Sequence, residues 1–384
     1  MAKPHPRLLF LVNVDWFFLS HRLPIALAAK KAGMEVYVAA ADTGHGKTIA
    51  ASGLRFINIP FSRKGTGLFR ELLLLPVILR LFLRLRPALV HNVTIKPVIY
   101  GSLVARLFSK TAVVNAITGM GFVFSADKKA GRLLRMVKIA YRLALGKKRM
   151  RVIFQNESDR SIFLQHKLTS PEKTVLIRGS GVDCELFKPS GAIVDNEKPI
   201  VLLASRMIRD KGVETFVEAA QIVMQEWPQV RFVLAGMVDE GNPNAISASC
   251  IKGWEEQGLV EWWGHRTDMA GVISRAAVVS LPSYYPEGVP KILIEAAASG
   301  KAIVTTNRPG CNDIVKDGIN GILVPEKDPK ALAGAIIKLL NNPDLRRRYG
   351  QEGRNIAVSG FSEEAVVEKT MALYKEVMGS RRPS

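Results

Sequence analysis

Three cysteines, Cys184, Cys250 and Cys311, are all that 384 residues contain; they share no CxxC spacing and form no even set. Neither a disulfide framework nor a zinc cage is therefore expected. Long apolar runs are also missing. The longest, Leu72–Leu79, falls far short of the roughly 18–20 residues that span a bilayer. Met1–Arg7 leads into the apolar Leu8–Val14, but Asp15 follows and no small-residue cleavage site is present, so a secretory leader is not expected. No Gly-x-Gly-x-x-Gly appears where Val12–Arg22 reads VNVDWFFLSHR, which argues against a dinucleotide-dependent dehydrogenase. Walker A and HExxH sequences are absent, and no His/Asp/Glu cluster has metal-ligand spacing. Acids are scarce in one half only. Residues 1–180 hold 30 Lys+Arg against 8 Asp+Glu, a balance of +22, whereas residues 181–384 hold 24 against 26, a balance of −2.

What is present is ordinary globular material, 48% hydrophobic and 23% charged, in enough length for two or three domains. Short apolar segments alternate with helical ones from Leu8–Val14 through Glu35–Ala40, Arg55–Ile59, Ala88–Asn92, Val113–Ala116 and Val152–Gln155, with a helix over Leu19–Ala32. The alternation restarts at Pro199–Ala204 and continues through Arg231–Ala235, Val260–Trp263, Val278–Leu281, Ala302–Thr305 and Gly321–Val324, with helices over Val213–Glu226, Lys291–Ser299 and Pro329–Leu340. Such alternation implies right-handed crossovers and parallel sheets. The expected fold is α/β, with two Rossmann-like doubly wound domains over residues 1–178 and 179–362 and a last helix in 363–384.

The excess of positive charge points to an anionic partner. Leu68–Arg86 carries Arg70, Arg80, Arg84 and Arg86 on a strongly apolar helical stretch, and Lys128–Arg151 carries ten cations and no acid among leucines, Met136, Ile139 and Tyr141. Apolar faces with cationic rims fit the headgroup layer of an anionic membrane. Their alternative is a core-packed helix with a solvated basic face. Nucleic acid is the less favoured partner, because stacking aromatics are not interleaved with these cations.

Candidate chemistry concentrates in the second half. Ser205-Arg206 ends a strand and Lys211-Gly212 precedes a helix, so two cations stand at a parallel strand's carboxyl end, where a diphosphate would sit. Arg206 has an alternative partner in a nearby carboxylate such as Asp210. In YYPEGVPKILIEAAASG, Glu287 falls in a turn with Gly288, Val289 and Pro290, whose amides and those of Lys291 open a helix; Glu295 lies about two turns along it. Carboxylates at these places suit vicinal sugar hydroxyls. In the first half, the TGMG of Thr118–Gly121 is a turn that suits either a tight bend or an approach to an anion.

The ordered set Ser205-Arg206, Lys211-Gly212, Glu287-Gly288-x-Pro and Glu295 resembles the donor-site signature of retaining, GT-B-fold glycosyltransferases of family 4. SHRLP at 20–24, VTIKPVIYGSLVAR at 93–106, ITGMGFVF at 117–124, FQNESDR at 154–160 and GSGVD at 179–183 resemble its bacterial capsule, O-antigen and lipid-linked-oligosaccharide subgroup. The resemblance implies that Arg206 and Lys211 hold a nucleotide diphosphate. It implies Glu295 on the ribose, Glu287 on the donor sugar, and backbone at Gly264 and Arg266 beside the base. His21, Arg22, Gly119 and Gly121 would face an acceptor, and the last helix would cross back onto the first domain. Relatives carry His-x-His with a preceding acid where this chain keeps His91 alone, with Val93 and Ala88 at the other two positions; His91 is thus a candidate for catalysis or for a structural role.

The activity implied is retaining transfer of a hexose or N-acetylhexosamine from a UDP-sugar to a saccharide on polyprenyl diphosphate. It would need no cofactor or metal, and it would proceed in the cytoplasm on the inner face of the membrane. An epimerase on the same fold is the alternative, for which eight acids in 180 residues offer few acid/base groups.

Overall fold

The computed structural model describes residues 5–61, 74–119, 131–190, 198–285 and 287–379. It divides into two units, residues 1–180 with 364–384 and residues 181–363.

The first unit runs through β1 (Arg7–Val14), α1 (Asp15–His21), α2 (Leu23–Lys31), β2 (Glu35–Ala41), α3 (Gly46–Ala51), β3 (Arg55–Asn58), α4 (Leu74–Leu85), β4 (Leu89–Val93), α5 (Ile95–Ala105), β5 (Ala112–Ile117), α6 (Gly131–Ala144), β6 (Met150–Phe154), α7 (Glu157–Gln165) and β7 (Thr174–Leu176). The second contains β8 (Ile200–Ala204), α8 (Val213–Glu226), β9 (Arg231–Ala235), α9 (Ala248–Glu256), β10 (Glu261–Trp262), α10 (Met269–Arg275), β11 (Ala276–Leu281), α11 (Lys291–Ala298), β12 (Ala302–Thr306), α12 (Cys311–Ile314), β13 (Gly321–Val324), α13 (Pro329–Leu340) and α14 (Pro343–Phe361). From Glu364 onward the last helix, α15 (Glu363–Gly379), belongs to the first unit.

Every described strand pairing in both sheets is parallel. The orders are β3-β2-β1-β4-β5-β6-β7 and β10-β9-β8-β11-β12-β13. β4, β5, β8, β11 and β12 are buried at every residue. Their sequences are accordingly mainly apolar, as strands covered on both faces must be; the polar residues among them, such as His91, Asn92, Asn115 and Ser280, are buried with the rest. The order reverses between β1 and β4 and again between β8 and β11. Those switch points are where doubly wound sheets open a crevice at the strands' carboxyl ends.

One expected helix needs correction, and two further elements appear. The single helix over Leu19–Ala32 is two helices: Pro24 cannot follow Ser20 in one continuous helix, so α1 ends at His21 and α2 restarts at Leu23 with the proline in its first turn. The break leaves Arg22 at φ −133° and only 3% exposed. The unforeseen β7 and α14 extend the two units; α14 starts with Pro343 behind an Asn342 side chain that caps Leu345 N–H. Arg354 of α14 donates to the carbonyls of Cys184, Phe187 and Ala298, tying the start of the second unit to the end of α11. In the first unit, Val366, Leu373, Tyr374 and Val377 of α15 join the core beneath β1 and β4.

Candidate functional site

In the second unit, one turn after β8 carries both candidate cations. Ser205 keeps a ladder bond to Ala235 and Met207 one to Met237, so the chain stays alongside the exit of β9. The approach requires Gly236. At φ +147° its position for a Cβ lies 1.7 Å from the Ser205 carbonyl, which no side chain tolerates. Gly236 in turn donates to the Gly264 carbonyl at 2.7 Å and accepts from Trp262 Nε1 at 2.9 Å, fixing three loop starts together. Arg206 finds Asp239 from the β9 loop, Nη1 to Oδ2 at 2.6 Å, and not Asp210, which instead accepts from Asn244. The Arg206 side chain stays over a third exposed, so a ligand can still reach it.

Lys211 closes a short 3₁₀ turn, and Gly212 follows at φ +75° with its Cβ position 2.1 Å from the Pro282 carbonyl. That close approach sets Lys211 against the loop after β11, where its ammonium pairs with Glu287. Both side chains are largely buried, 12% and 15% exposed. Ser283 Oγ donates to the other Glu287 oxygen at 2.8 Å. Glu287 is therefore held at both oxygens. Gly310, at φ +88°, presses on the same turn, its Cβ position 2.1 Å from the Gly288 carbonyl. Behind it the buried Cys311 thiol is pushed up to about 12, by burial first and then by the Glu287 charge.

Val289 is buried, Pro290 caps α11, and Lys291 begins it. The helix begins at Lys291 as expected, so Glu295, its fifth residue, sits just past one turn along α11 and not two. It is no solvated surface residue: only 8% of it is exposed, with Lys291 Nζ 3.7 Å away. Burial raises its pKa while Lys291 opposes the rise. In α11 Leu293 N–H already closes on the Pro290 carbonyl at 3.1 Å, and the amides ahead of it point out of the helix start. Pairs of cation and carboxylate beside such amides form a polar floor suited to phosphate and hydroxyl groups. Arg266 stands apart, forked onto Asp268 at 2.8 and 2.6 Å on the surface.

In the first unit, Asp15, the first residue of α1 after β1, is fully buried and accepts from Trp16 N–H (2.7 Å), Thr43 N–H (2.7 Å) and Oγ1 (2.5 Å), and His45 N–H (2.9 Å). Burial would raise its pKa; the hydrogen bonds from Thr43 and its neighbours lower it on balance. Sequence reasoning passed over this residue. His21 stacks on Phe17 with ring centroids 4.1 Å apart. Arg22 donates to the His21 carbonyl at 2.8 Å, and burial brings its pKa down to about 10, which leaves it charged at neutral pH.

His91 lies within β4, 1% exposed, stacked on Phe10 and bonded through Nδ1 to the Tyr374 hydroxyl at 2.5 Å. Burial, then the Arg22 charge, holds it well below 6.5 and hence neutral. Arg22, His91 and Tyr374 thus form one buried polar group. Gly119 follows β5 at φ +120°; Gly121 lies outside the described residues. Asp239, Ser283, Gly310 and Tyr374 were also missed. Each is brought to its place by tertiary packing, and no local pattern marks it.

The model described as glycosyl transferases group 1 matches residues 188–356, and that described as glycosyl transferase 4-like matches residues 7–156. The N,N'-diacetylbacillosaminyl-diphospho-undecaprenol alpha-1,3-N-acetylgalactosaminyltransferase of Campylobacter jejuni is 27% identical, over 94% of this chain and 98% of its own. The UDP-Gal:alpha-D-GlcNAc-diphosphoundecaprenol alpha-1,3-galactosyltransferase of Escherichia coli is 24% identical over 85% and 84%. Among solved structures, Anabaena HepE in complex with UDP and glucose matches with a TM-score of 0.77 at 19% identity, covering 97% of this chain and all of that one. A glycosyltransferase from Rickettsia africae matches at 0.78, also with 19% identity, covering 98% and 100%. With a family model on each unit and the two-sheet fold in common, this chain belongs to the GT-B glycosyltransferases of group 1.

Proposed function

We propose that the protein transfers a sugar, a hexose or N-acetylhexosamine, from a UDP-sugar to a saccharide carried on polyprenyl diphosphate, with retention of configuration and without a metal. The observation that carries this reading is the placement of Arg206, Lys211 and Glu287 on the turns that follow β8 and β11, the switch-point strands of the second unit, with Glu295 on the helix α11 that the second turn opens. The lipid-linked substrates in the names of the Campylobacter and Escherichia relatives support the acceptor class. Those names are of transferases, which disfavours the epimerase and nucleic-acid readings.

In this reading Arg206 and Lys211 bind the donor diphosphate and neutralise the charge that gathers on it as the bond to the sugar breaks. Glu295 accepts from the ribose hydroxyls, Glu287 from hydroxyls of the donor sugar, and the backbone at Gly264 edges the base. The acceptor hydroxyl attacks the anomeric carbon on the face the diphosphate leaves, and a phosphate oxygen of the leaving group takes its proton. No covalent sugar–enzyme bond forms, so Glu287 orients and is not a nucleophile. On the acceptor side His21, Arg22 and Gly119 are the candidates.

The membrane completes the reading. α4, α5 and α6 pack side by side on one face of the first sheet. That face leaves Val77, Leu83, Leu107, Met136, Ile139 and Leu143 exposed among Arg80, Arg84, Arg135 and Lys138. No described helix is long and apolar enough to cross a membrane. The face suits docking on an anionic leaflet that holds the acceptor's lipid.

Steady-state kinetics with a UDP-sugar test the donor assignments. Glu295→Ala is expected to raise KM, because ribose contacts are the same before and during reaction; Glu287→Ala is expected to lower kcat. Activity is expected to persist in EDTA. Wild-type kinetics in both folded variants would remove the assignment.

A further inference from the structure

We propose that the first unit holds a second ligand site, a cationic cavity at the amino ends of its strands that takes a phosphate-bearing molecule. The cavity, about 770 Å³, is lined by Arg7 at the start of β1, Glu35 at the start of β2, Arg55 at the start of β3, Lys30 of α2, Arg86 after α4, and His5. Ligands of doubly wound sheets bind at the carboxyl ends of the strands. This cavity opens at the other edge and belongs to no part of the proposed transfer.

Four permanent cations line it against a single carboxylate. That carboxylate is already committed: Glu35 Oε2 accepts from Arg7 Nε at 2.9 Å, and its Oε1 lies 2.6 Å from Arg55 Nη2. One Glu35 thus aligns two guanidinium forks and leaves a net excess of charge on the wall. Arg7 also donates to the Leu85 carbonyl at 2.9 Å, and Arg55 to the Tyr37 hydroxyl at 3.1 Å. The forks are therefore fixed before any ligand arrives.

Two further features set this wall apart from a solvated surface. Arg86 ends α4 with φ +45°, its N–H closing on the Phe82 carbonyl at 2.8 Å. Glycine is the ordinary residue at that position, and any other incurs roughly 1–2 kcal/mol of strain. Here the strained position bears an arginine that lines the cavity. Lys30 folds over the loop at Gly53, its ammonium 2.0 Å from where a Cβ there would stand and 3.4 Å from the Ser52 carbonyl it donates to.

Cations gathered in a concave wall focus their field instead of dispersing it into water. Fixed arginine forks match phosphate oxygens two at a time. Pro6, Met34 and Val36 supply an apolar margin for whatever the phosphate is attached to, and the volume is that of a small-molecule site. The ligand is either a soluble phosphorylated molecule or a phospholipid headgroup.

Titration calorimetry of the full chain with inorganic pyrophosphate tests the site, using wild type, Arg206→Ala, and the double variant Lys30→Gln/Arg86→Gly. Arg206→Ala is expected to retain a binding event that the double variant weakens about tenfold, the scale of one or two lost charge-assisted bonds. Arg86→Gly relieves backbone strain, so its unfolding midpoint should equal or exceed that of wild type. Sedimentation with phosphatidylglycerol vesicles then separates the sources. Competition by pyrophosphate that the double variant abolishes marks a headgroup, and binding of pyrophosphate without effect on vesicles marks a soluble ligand. Pyrophosphate binding that is unchanged in the double variant, or wholly lost in Arg206→Ala, overturns the proposal.

Discussion

Gly212 does more for the donor side than its lack of a side chain suggests. At φ +75° and pressed on the Pro282 carbonyl, it lets the turn after β8 meet the loop after β11, and so lets Lys211 reach Glu287. Gly212→Ala must open that contact and also hold alanine in the left-handed region, a combined cost of about 2–4 kcal/mol. Chemical denaturation should register that loss. In variants still folded, kcat should fall more than a distant substitution of equal cost would cause, because the shift moves Lys211 and Glu287 together. A Gly212→Ala protein with wild-type stability and turnover would show the contact to be slack. The residue types at this site were legible in sequence because charged residues beside glycine and proline stand out from apolar strands. Their partners were not. Asp239 lies 33 residues from Arg206 and Glu287 lies 76 from Lys211, and no local spacing encodes such pairs.

At the scale of elements, the apolar segments that alternate with helices marked nearly every strand, since a parallel strand covered on both faces is a mainly apolar run that polar residues such as His91, Asn115 or Ser280 interrupt only briefly. Arg231–Ala235, Gly321–Val324, Val213–Glu226 and Pro329–Leu340 have the bounds the pattern indicates. β7 escaped because three half-buried residues carry no period, and α14 because its glycines and arginines weaken the apolar stripe. Composition also could not say where α15 packs. Its Tyr374 meets His91 of β4, and burial raises the tyrosine pKa as it lowers that of the histidine.

That pairing has a pH signature. The folded unit keeps His91 neutral, whereas the unfolded chain takes up a proton at about 6.5. The unfolded state therefore binds more protons on the acid side, and stability is complete above 6.5 and lost as pH falls below it, by at most ~1.4 kcal/mol per pH unit for this group. Urea unfolding at pH 7 and 5.5 should show the loss in wild type and a smaller one in His91→Gln. Tyr374→Phe, which leaves Nδ1 buried without its hydroxyl, should cost about 1–3 kcal/mol at both pH values. Equal acid sensitivity in wild type and His91→Gln would mean that the proton is taken up elsewhere.

At the scale of the whole molecule, the charge is divided as the two proposed tasks would require. The half with +22 includes the face of α4, α5 and α6, where exposed leucine, isoleucine and methionine side chains alternate with arginine and lysine; the half with −2 includes the pairs that bracket the proposed diphosphate site. Solubility alone gives no reason for a 24-charge difference between halves of one chain. An acceptor whose lipid stays in the bilayer does, because a protein held at the surface meets it in two dimensions. Each cation near an anionic leaflet contributes about 1 kcal/mol, and the attraction shortens with a Debye length of about 3 Å at 1 M salt. Binding should therefore be strong to vesicles containing phosphatidylglycerol, weak to phosphatidylcholine alone, and reduced by salt. Reversing Arg80, Arg135 and Lys138 to glutamate should lower vesicle binding while leaving UDP affinity unchanged, since the proposed donor residues belong to the other unit. Arg142 is unsuited to this test, because it donates to the His166 and Lys167 carbonyls and its loss would also disturb the fold. Exposed apolar residues on the same face separate docking from mere attraction. Leu83→Ser with Ile139→Ser should weaken what binding remains at high salt, where charge is screened and insertion is not. Equal sedimentation with neutral and anionic vesicles, or unaltered binding by the charge-reversed protein, would show that this face is not what meets the membrane.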